Sequence, residues 1–474
     1  MLFRSGGAAH YANQIGVPAT AFCWPRCDVP GYAPLPWPPL YENTRNVNID
    51  AYKYNRNFPA VPRERVSAVV LTLALVFVAC PASSLPTVWT DTNGDWVNVS
   101  NWDNVVPGTM VEAFIDNAGV AEISAPGGMV GVLRIGDSNS GALESIGMGS
   151  LTGFQGVIGV SSGSVGSAIV DGPNATWTTA ASLLVGSAGH GNLAVRAGGT
   201  ISSDSGRVGT DATGTVTVEG AGSIWTIESS LLISTTGNLI VSNGGTLSSG
   251  LDGFSSASIR GNVVVEGSGS TLTTNSNELE ISGPLARLDI LDGARVNSSS
   301  STFGEFSDRA GYVYVDGVGS TWTNSGSITI GNSGDGTLGI HNGGVVTDAF
   351  TVRLGRNFNG TGQAAIDGVG SRWDNRFLVV GDAGVGQLDV TGGGTVLSER
   401  GSVGEKSGGE GHVTITGAGS AWDTESVVVV GENGSGILEV MDGGKLIAPT
   451  SLRVASLVAS EGHAMISGTN SLLD

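Results

Sequence analysis

Residues Phe377–Trp422 read FLVVGDAGVGQLDVTGGGTVLSERGSVGEKSGGEGHVTITGAGSAW, and this stretch decides the fold. It contains an L-x-V-G segment, a Gly-containing turn, a second apolar segment, a Gly-Gly turn and a V-T-I segment that leads into G-S-A-W. Short apolar segments separated by glycine turns predict β-strands. Units of the same design fill the chain from about Val132 onward, so the sequence predicts a tandem repeat.

The G-S-x-W element sets the period of the repeat. Its tryptophan position recurs every 47–51 residues, at Trp177, Trp225, Leu272, Trp322, Trp373, Trp422 and Leu473. Each unit also divides into two similar halves of about 24 residues, the length of one coil with three short strands. A propeller blade would need four hairpin-linked strands per unit, so the halving favours a solenoid.

The predicted fold is therefore all-β, a parallel β-helix (β-solenoid) of about fourteen coils of ~24 residues. We expect a right-handed coil, although the pattern does not determine the handedness. At ~4.8 Å per coil the rod would be roughly 65–70 Å long. Apolar residues alternate with polar ones within the strands, which predicts one buried face. The tryptophan column (Trp177, Trp225, Trp322, Trp373 and Trp422) is interpreted as core packing, because leucine replaces it twice.

Composition excludes several classes of function. The chain has 22 basic and 42 acidic residues, a net charge of −20, which argues against binding to nucleic acid or to an anionic membrane surface. All three cysteines lie upstream of the repeats, so thiol chemistry and disulfides are excluded from the repeat region. We expect no cofactor and no catalytic residue, since no histidine has an evident nucleophile and acid partner.

The part of the chain that precedes Leu85 does not share the repeat. Residues 63–84 combine a basic flank, an apolar run of about fourteen residues and small residues, as expected of a secretory signal peptide. Residues 1–62 are then interpreted as an extension outside the natural product, or as disordered; the alternative is a true extension with a membrane anchor. Phe77-Val78-Ala79-Cys80 also resembles a lipobox. We expect no transmembrane helix in the mature chain.

Residues 85–131 form a tryptophan-rich entry segment with Trp89, Trp96 and Trp102. A solenoid must cover the open end of its first coil, so this segment is predicted to be a cap. A sugar-stacking platform is the alternative interpretation. Residues 132–474 are predicted to form the β-solenoid of tandem ~49-residue repeats.

A ladder of carboxylates forms one candidate metal site. Carboxylates precede the G-x-G-S turn in five units, and such a ladder offers the oxygen ligands that Ca²⁺ prefers; its members are Asp171, Glu219, Glu266, Asp316 and Asp367. Threonine and serine replace them in the last two units, so turn-shaping is the favoured interpretation and the prediction is no metal site. The densest charged cluster is interpreted as solvated surface: Arg353, Arg356, Asp367, Arg372 and Asp374.

The repeated L-x-V-G…L-x-V-x-x-G-G…G-S-x-W pattern, over about 132–474, resembles the autotransporter and PEP-CTERM-associated repeat of bacterial proteins, and Trp89, Trp96 and Trp102 resemble its usual leader. The resemblance implies export to the extracellular space or the cell surface and a non-enzymatic structural or adhesive role. It implies no catalytic residues. We expect extracellular polysaccharide or other surface proteins as partners. The sequence stops within a repeat, so we expect a truncated reading frame. The mode of anchoring stays undetermined.

The alternative function is a polysaccharide lyase or glycosidase on a β-helix scaffold. Such sites use paired carboxylates and basic residues on one face. Their loops usually interrupt the regular pattern, whereas the spacing here stays within 47–51 residues. The regular spacing favours a chain that is not an enzyme, although a fold alone does not establish function.

Overall fold

The computed structural model describes residues 85–348, 350–457 and 460–474. The predicted upstream extension (1–62) and signal peptide (63–84) lie outside the described residues. One short 3-10 helix, Val99–Asn101, accompanies two large β-sheets. No helix within the described residues is long and apolar enough to cross a membrane.

Sheet 1 contains sixteen strands, one for each turn of the chain. They are Asn93–Asp95, Val120–Ile123, Ser140–Ile146, Val165–Asp171, His190–Arg196, Gly214–Glu219, Gly237–Ser242, Asn262–Glu266, Arg287–Leu291, Ala310–Asp316, Asp335–His341, Thr361–Asp367, Val385–Thr391, Glu410–Thr416, Ser435–Met441 and Glu461–Ser467. Each strand pairs in parallel with the strands one turn before and after it.

Sheet 2 contains the other 25 strands. They are Thr87–Val88, Ala113–Ile115, Gly128–Ile135, Ser150–Ile158, Thr176–Val185, Thr200–Val208, Ile224–Ile227, Leu231–Ile233, Thr246–Ser249, Ala257–Ile259, Thr271–Ile281, Arg295–Phe303, Thr321–Asn324, Ile328–Ile330, Val345–Asp348, Thr351–Leu354, Arg372–Asp374, Phe377–Val380, Thr395–Ser398, Arg400–Val403, Ala421–Thr424, Val427–Val430, Lys445–Ile447, Ser451–Val454 and Leu472–Leu473.

Each coil has three sides. The strand Ser435–Met441 of sheet 1 is followed by Lys445–Ile447 and then by Ser451–Val454, both in sheet 2. Where the two sheet 2 segments are continuous, as in Thr200–Val208, the ladder shifts register between them. We name the outer surface of sheet 1 face 1, that of the first sheet 2 segment face 2, and that of the second segment face 3.

The register confirms the predicted parallel β-helix. From Ser140–Ile146 to Glu461–Ser467, sheet 1 has fourteen strands, the predicted number of coils. The shortest displacements between partners in these coils join Gly191 to Gly214 and Gly214 to Gly237, and the longest join Asp335 to Thr361 and Ser435 to Glu461. All these displacements are close to the predicted length of one coil. Parallel strands joined by such short connections form a solenoid because each coil packs only on its neighbours.

Alternation along the strands builds the core. In Ala310–Asp316, Gly311, Val313 and Val315 point inward and their neighbours are half-exposed. The tryptophan column is fully inside, and Leu272 takes the same buried position. The interpretation of these tryptophans as packing residues is therefore confirmed.

The Gly-Gly corner supplies the turn from sheet 1 to sheet 2. Asn243 has a φ of 53° and Gly244 a φ of 88°. Two successive residues in the left-handed region are what a type I′ turn requires, which explains the preference for Asn, Asp and Gly at this corner.

The tryptophan-rich entry segment contributes strands to the same two sheets. Thr87–Val88 pairs with Ala113–Ile115, and Asn93–Asp95 pairs with Val120–Ile123. Trp102 lies edge-on to Trp89 and Trp96 at 5.1 and 4.9 Å between ring centroids, and its Nε1 donates to the Trp96 carbonyl at 2.8 Å. All three indoles are buried.

Candidate functional site

The predicted carboxylate ladder lies on face 1, but its members occupy alternate coils. Arg196 pairs with both Asp171 and Glu219, which lie one coil before and one coil after it. His341 lies in the same way between Asp316 and Asp367. Consecutive carboxylates are thus two strand spacings apart, about 9.6 Å. The structure does not bring these side chains together.

Several of these carboxylates have partners of their own. Asp171 accepts from Arg196 Nε at 2.9 Å, Asp316 from Asn342 Nδ2 at 2.7 Å, and Asp367 from Thr391 Oγ1 at 2.6 Å. In the part of the chain that the structure describes, no group of three or more His, Cys, Asp or Glu side chains could hold a metal ion.

The charged cluster singled out in the sequence is divided among the three faces. Asp367 ends a strand of face 1, Arg353 lies on face 3, and Arg372 and Asp374 lie on face 2. Arg356 lies in the turn that follows face 3. Arg372 Nε and Asp374 Oδ1 form an ion pair of 2.6 Å on the solvent-exposed surface. The interpretation of this pair as solvated surface is confirmed, but Arg353 belongs to a different arrangement.

Arg353 faces a buried carboxylate at the corner where face 3 ends. Asp382, only 1% exposed, lies between Arg353 Nε at 3.3 Å and Lys406 Nζ at 2.7 Å. Neither contact has the geometry of a hydrogen bond, so attraction between the charges holds the three groups together. Glu405 and Glu432 occupy the same turn position in the next two coils, and the amide of each donates to the glycine carbonyl one coil earlier at 3.0 Å. We call Asp382, Glu405 and Glu432 the corner carboxylates.

Basic and hydroxyl side chains partner the outer corner carboxylates. Arg400 Nη2 lies 3.3 Å from both carboxylate oxygens of Glu432, and Ser402 Oγ donates to the same group at 3.1 Å. Asp382 has two cationic partners, Arg353 and Lys406. Glu405, in the middle coil, is therefore the one corner carboxylate without an ion-pair partner among the described residues.

That middle carboxylate, Glu405, has a perturbed proton affinity. Burial raises the pKa of the Glu405 carboxyl above its ordinary value of 4.5, and the negative charges of Asp382 and Glu432 raise it further. Arg353 and Lys406 oppose this rise in pKa. The Oε2 atom of Glu405 is buried and has no hydrogen-bond partner in the described structure. A carboxyl in this setting keeps its proton to a higher pH than a solvent-exposed glutamate does.

A shallow depression of about 220 Å³ on face 3 opens beside Glu405. Its lining combines two guanidinium groups, hydroxyls, a carboxyl and a partly exposed aromatic ring; it consists of Thr351, Arg353, Phe377, Leu378, Val379, Arg400, Ser402 and Glu405. The guanidinium carbon of Arg376 stands 5.6 Å from the centroid of the Phe377 ring. Such a surface can donate and accept hydrogen bonds to a polar ligand and offers a ring edge for packing.

The corner carboxylates were missed in the sequence, although a signal is present. Each follows the V-G pair that ends a strand, as Val380-Gly381-Asp382, Val403-Gly404-Glu405 and Val430-Gly431-Glu432. An acidic residue at this position in three successive half-units predicts a stack of carboxylates once the coils are aligned. The carboxylates that stood out instead precede the G-x-G-S turn, at the opposite end of sheet 1.

Comparison with known proteins identifies no family for this chain. No family model matches the sequence, and no curated protein matches it. Among solved structures, the chain is similar to the crystal structure of the TibC-catalysed hyper-glycosylated TibA fragment 55–350, with a TM-score of 0.36 and 17% sequence identity. The similarity covers 75% of this chain and 99% of that chain. The resemblance to the autotransporter and PEP-CTERM-associated repeat remains a prediction.

Proposed function

We propose that this protein is an exported, non-enzymatic β-solenoid that serves as a structural or adhesive element outside the cell or on its surface. The observation that carries the proposal is the continuity of the stack. Fourteen successive strands of sheet 1 pair in register, and within the described residues no large loop interrupts them. A continuous repeat of this kind presents the same faces over a long distance, which suits a scaffold or an adhesive surface.

The surface charges support the same conclusion. Most arginines that lie near carboxylates pair within one or two coils, as Arg134 does with Glu112 at 2.6 Å and Arg376 with Glu399 at 2.7 Å. Charges that are already paired with each other are not directed at a common reacting atom. The surface stays strongly acidic and soluble, and it favours contact with neutral partners. The classes of partner that we propose are extracellular polysaccharide and other surface proteins.

Cell fractionation tests this function directly. We expect the mature chain in the medium or the outer surface fraction, with its N-terminus close to Leu85, and no release of sugar from polysaccharides. A cytoplasmic chain that retains its first residues would contradict export. The same preparation serves for small-angle scattering, in which the repeat region should have the cross-section of a rod.

A second function is favoured by one observation, the raised pKa of Glu405 beside Asp382 and Glu432. Glycosidases pair a protonated acid with an ionised carboxylate, and raised pKa values mark such acids. On this alternative, Glu405 would protonate the leaving oxygen of a polysaccharide bound along face 3. Its test is incubation of the purified chain with neutral and acidic polysaccharides in mildly acidic and neutral buffers.

The variants for that test are matched. Glu405→Gln removes the acid, whereas Glu425→Gln removes an exposed carboxylate outside the corner. Release of reducing ends by the wild type and by Glu425→Gln, but not by Glu405→Gln, would establish the enzyme and overturn the scaffold proposal. Absence of release from all three proteins is the result we expect.

A further inference from the structure

Face 2 differs from the other faces in the coils between residues 150 and 273. In each coil the first three residues of the strand place two outward side chains on either side of one buried residue. The six outward pairs are Ser150 and Thr152, Thr176 and Thr178, Thr200 and Ser202, Ile224 and Thr226, Thr246 and Ser248, and Thr271 and Thr273. We call these twelve positions the threonine face.

The threonine face is uncharged in an acidic molecule. Eleven of its twelve side chains carry a hydroxyl group, eight of them as threonine, and the twelfth is Ile224. On face 1 of the same coils, by contrast, Asp171, Arg196 and Glu219 occupy neighbouring positions of one column. The chain as a whole carries a net charge of −20. The lack of charge is therefore local to these twelve positions, beyond which Asp204 and Glu228 lie exposed in two of the coils, and it favours a neutral partner.

Most of the hydroxyls are free to bond outward. Ser150 Oγ accepts from an amide at 3.3 Å, Thr271 Oγ1 donates to a carbonyl at 3.4 Å, and Thr273 Oγ1 accepts from Asn297 at 3.3 Å. The other eight make no side-chain hydrogen bond with any residue that the structure describes. A row of hydroxyls that stabilises nothing inside the protein is available to a ligand.

The pairing register makes the face a two-dimensional lattice. Ser150 pairs with Thr176, Thr176 with Thr200, and the ladder continues without a shift through Ile224 and Thr246 to Thr271. The second column runs in the same way from Thr152 to Thr273. Adjacent strands lie ~4.8 Å apart, and residues i and i+2 lie ~6.7 Å apart along a strand. Six rungs therefore span about 24 Å.

The lattice is also held rigidly. Between the two columns lie the buried residues Leu151, Trp177, Ile201, Trp225, Leu247 and Leu272. The branched threonine side chain has few rotamers, so a fixed backbone fixes its hydroxyl and its methyl group. Such a surface loses little conformational entropy when it binds a regular partner.

A ligand that matches this array must itself repeat in two dimensions and be neutral. Oxygen atoms on the surface of an ice crystal meet both requirements, with repeats close to the two spacings of the face. Hydroxyl groups can take the place of lattice waters, and methyl groups fill the space between them. A crystalline polysaccharide is also periodic, but aromatic rings, which stack on sugars, are absent from all twelve positions. We propose that the threonine face binds ice.

The test measures the purified full chain for thermal hysteresis and for inhibition of ice recrystallisation. Thr226→Arg and Thr178→Arg each place a long charged side chain within the lattice. Thr217→Arg is the matched control, because Thr217 lies in the same coil as Thr226 and is equally half-exposed but belongs to face 1. Circular dichroism establishes that each variant keeps its strands.

We expect ice shaping and recrystallisation inhibition by the wild type and by Thr217→Arg, and loss of both effects in the two face 2 variants. An inactive wild-type protein would overturn the proposal, as would an equal loss in all three variants. Retention of the wild type on crystalline cellulose or chitin, lost in Thr226→Arg and without any effect on ice, would reassign the face to polysaccharide. The assay uses purified protein, so its result is independent of where the cell places the chain.

Discussion

Ser320 Oγ accepts the backbone N–H of Gly293 in the preceding coil at 3.0 Å. The same hydroxyl donates to the Asp316 carbonyl within its own turn at 2.6 Å. Ser320 is fully buried, and it joins two coils through one side chain. The equivalent serine accepts a glycine amide of the preceding coil at five other turns: Ser223, Ser270, Ser371, Ser420 and Ser471.

Replacement of Ser320 by alanine should leave the Gly293 amide without a partner. We expect a loss of about 1–2 kcal/mol in local stability, the usual cost of an unsatisfied donor. Hydrogen exchange at the Gly293 amide measures this directly and should accelerate. Thr323→Ala removes an exposed hydroxyl of the same coil and should leave that exchange rate unchanged; equal rates in both variants would contradict the role of the serine.

Gly401→Ala should strain the core because the Trp422 ring lies against this glycine. A Cβ atom at Gly401 would overlap Cζ2 and Cη2 of the Trp422 indole. Overpacking of this kind costs about 1–3 kcal/mol. Thermal denaturation followed by circular dichroism should show a lower midpoint. Gly108→Ala, where an added Cβ meets nothing within 4 Å, is the control, and a similar shift in both variants would show that the contact does not matter.

Removal of the buried carboxylate at position 382 should destabilise the corner. Asp382→Asn leaves Arg353 and Lys406 without their counter-ion, and because both cations are partly solvated we expect a loss of about 2 kcal/mol, less than for a fully buried pair. Asp374→Asn breaks the exposed pair with Arg372 and should cost less than about 0.5 kcal/mol. Urea denaturation at one ionic strength compares the free energies of unfolding of the two variants. A larger loss in Asp374→Asn than in Asp382→Asn would contradict the stabilising role of Asp382.

Glu405 should make stability depend on pH. Its pKa is raised in the folded protein, so the folded state keeps this proton at pH values where the unfolded chain has released it. The resulting stabilisation is complete below the ordinary pKa of 4.5 and is lost as pH rises through the raised pKa. Glu405→Gln should therefore be more stable than the wild type at pH 8 and should lose this advantage at pH 4.

Denaturation midpoints of the two proteins at pH 4, 6 and 8 check this dependence. Glu425→Gln, at an exposed position of the neighbouring corner, controls for a general effect of one charge on an acidic chain. If the advantage of Glu405→Gln did not grow with pH, or if Glu425→Gln showed the same growth, burial of Glu405 would not be its cause.

The sequence was sufficient for the coil and its core because these depend on local periodicity. The alternation in segments such as Val313 and Val315, and the recurrence of tryptophan, determine which side chains stack inside. The role of Ser320 was not predictable, since its partner Gly293 lies 27 residues earlier and is met only after the coils align.

The candidate site shows the same limit. Asp382, Glu405 and Glu432 belong to three successive coils, and their proximity depends on the number of residues in each intervening coil. The proton affinity of Glu405 depends further on burial by side chains of neighbouring coils. The threonine face was visible as T-W-T and T-L-T segments, but its lack of competing hydrogen bonds requires atomic positions.

The G-S-x element recurs only at every second coil, followed by tryptophan or leucine, so the natural unit of this chain is a pair of coils. Unequal recombination between two such pairs inserts or deletes one whole unit and leaves each new boundary with the same tryptophan, serine and glycine contacts as the old ones. The length of the solenoid can therefore change by whole pairs of coils while the contacts within each pair are kept. Selection can therefore act on the length of the solenoid without acting on the packing of its coils.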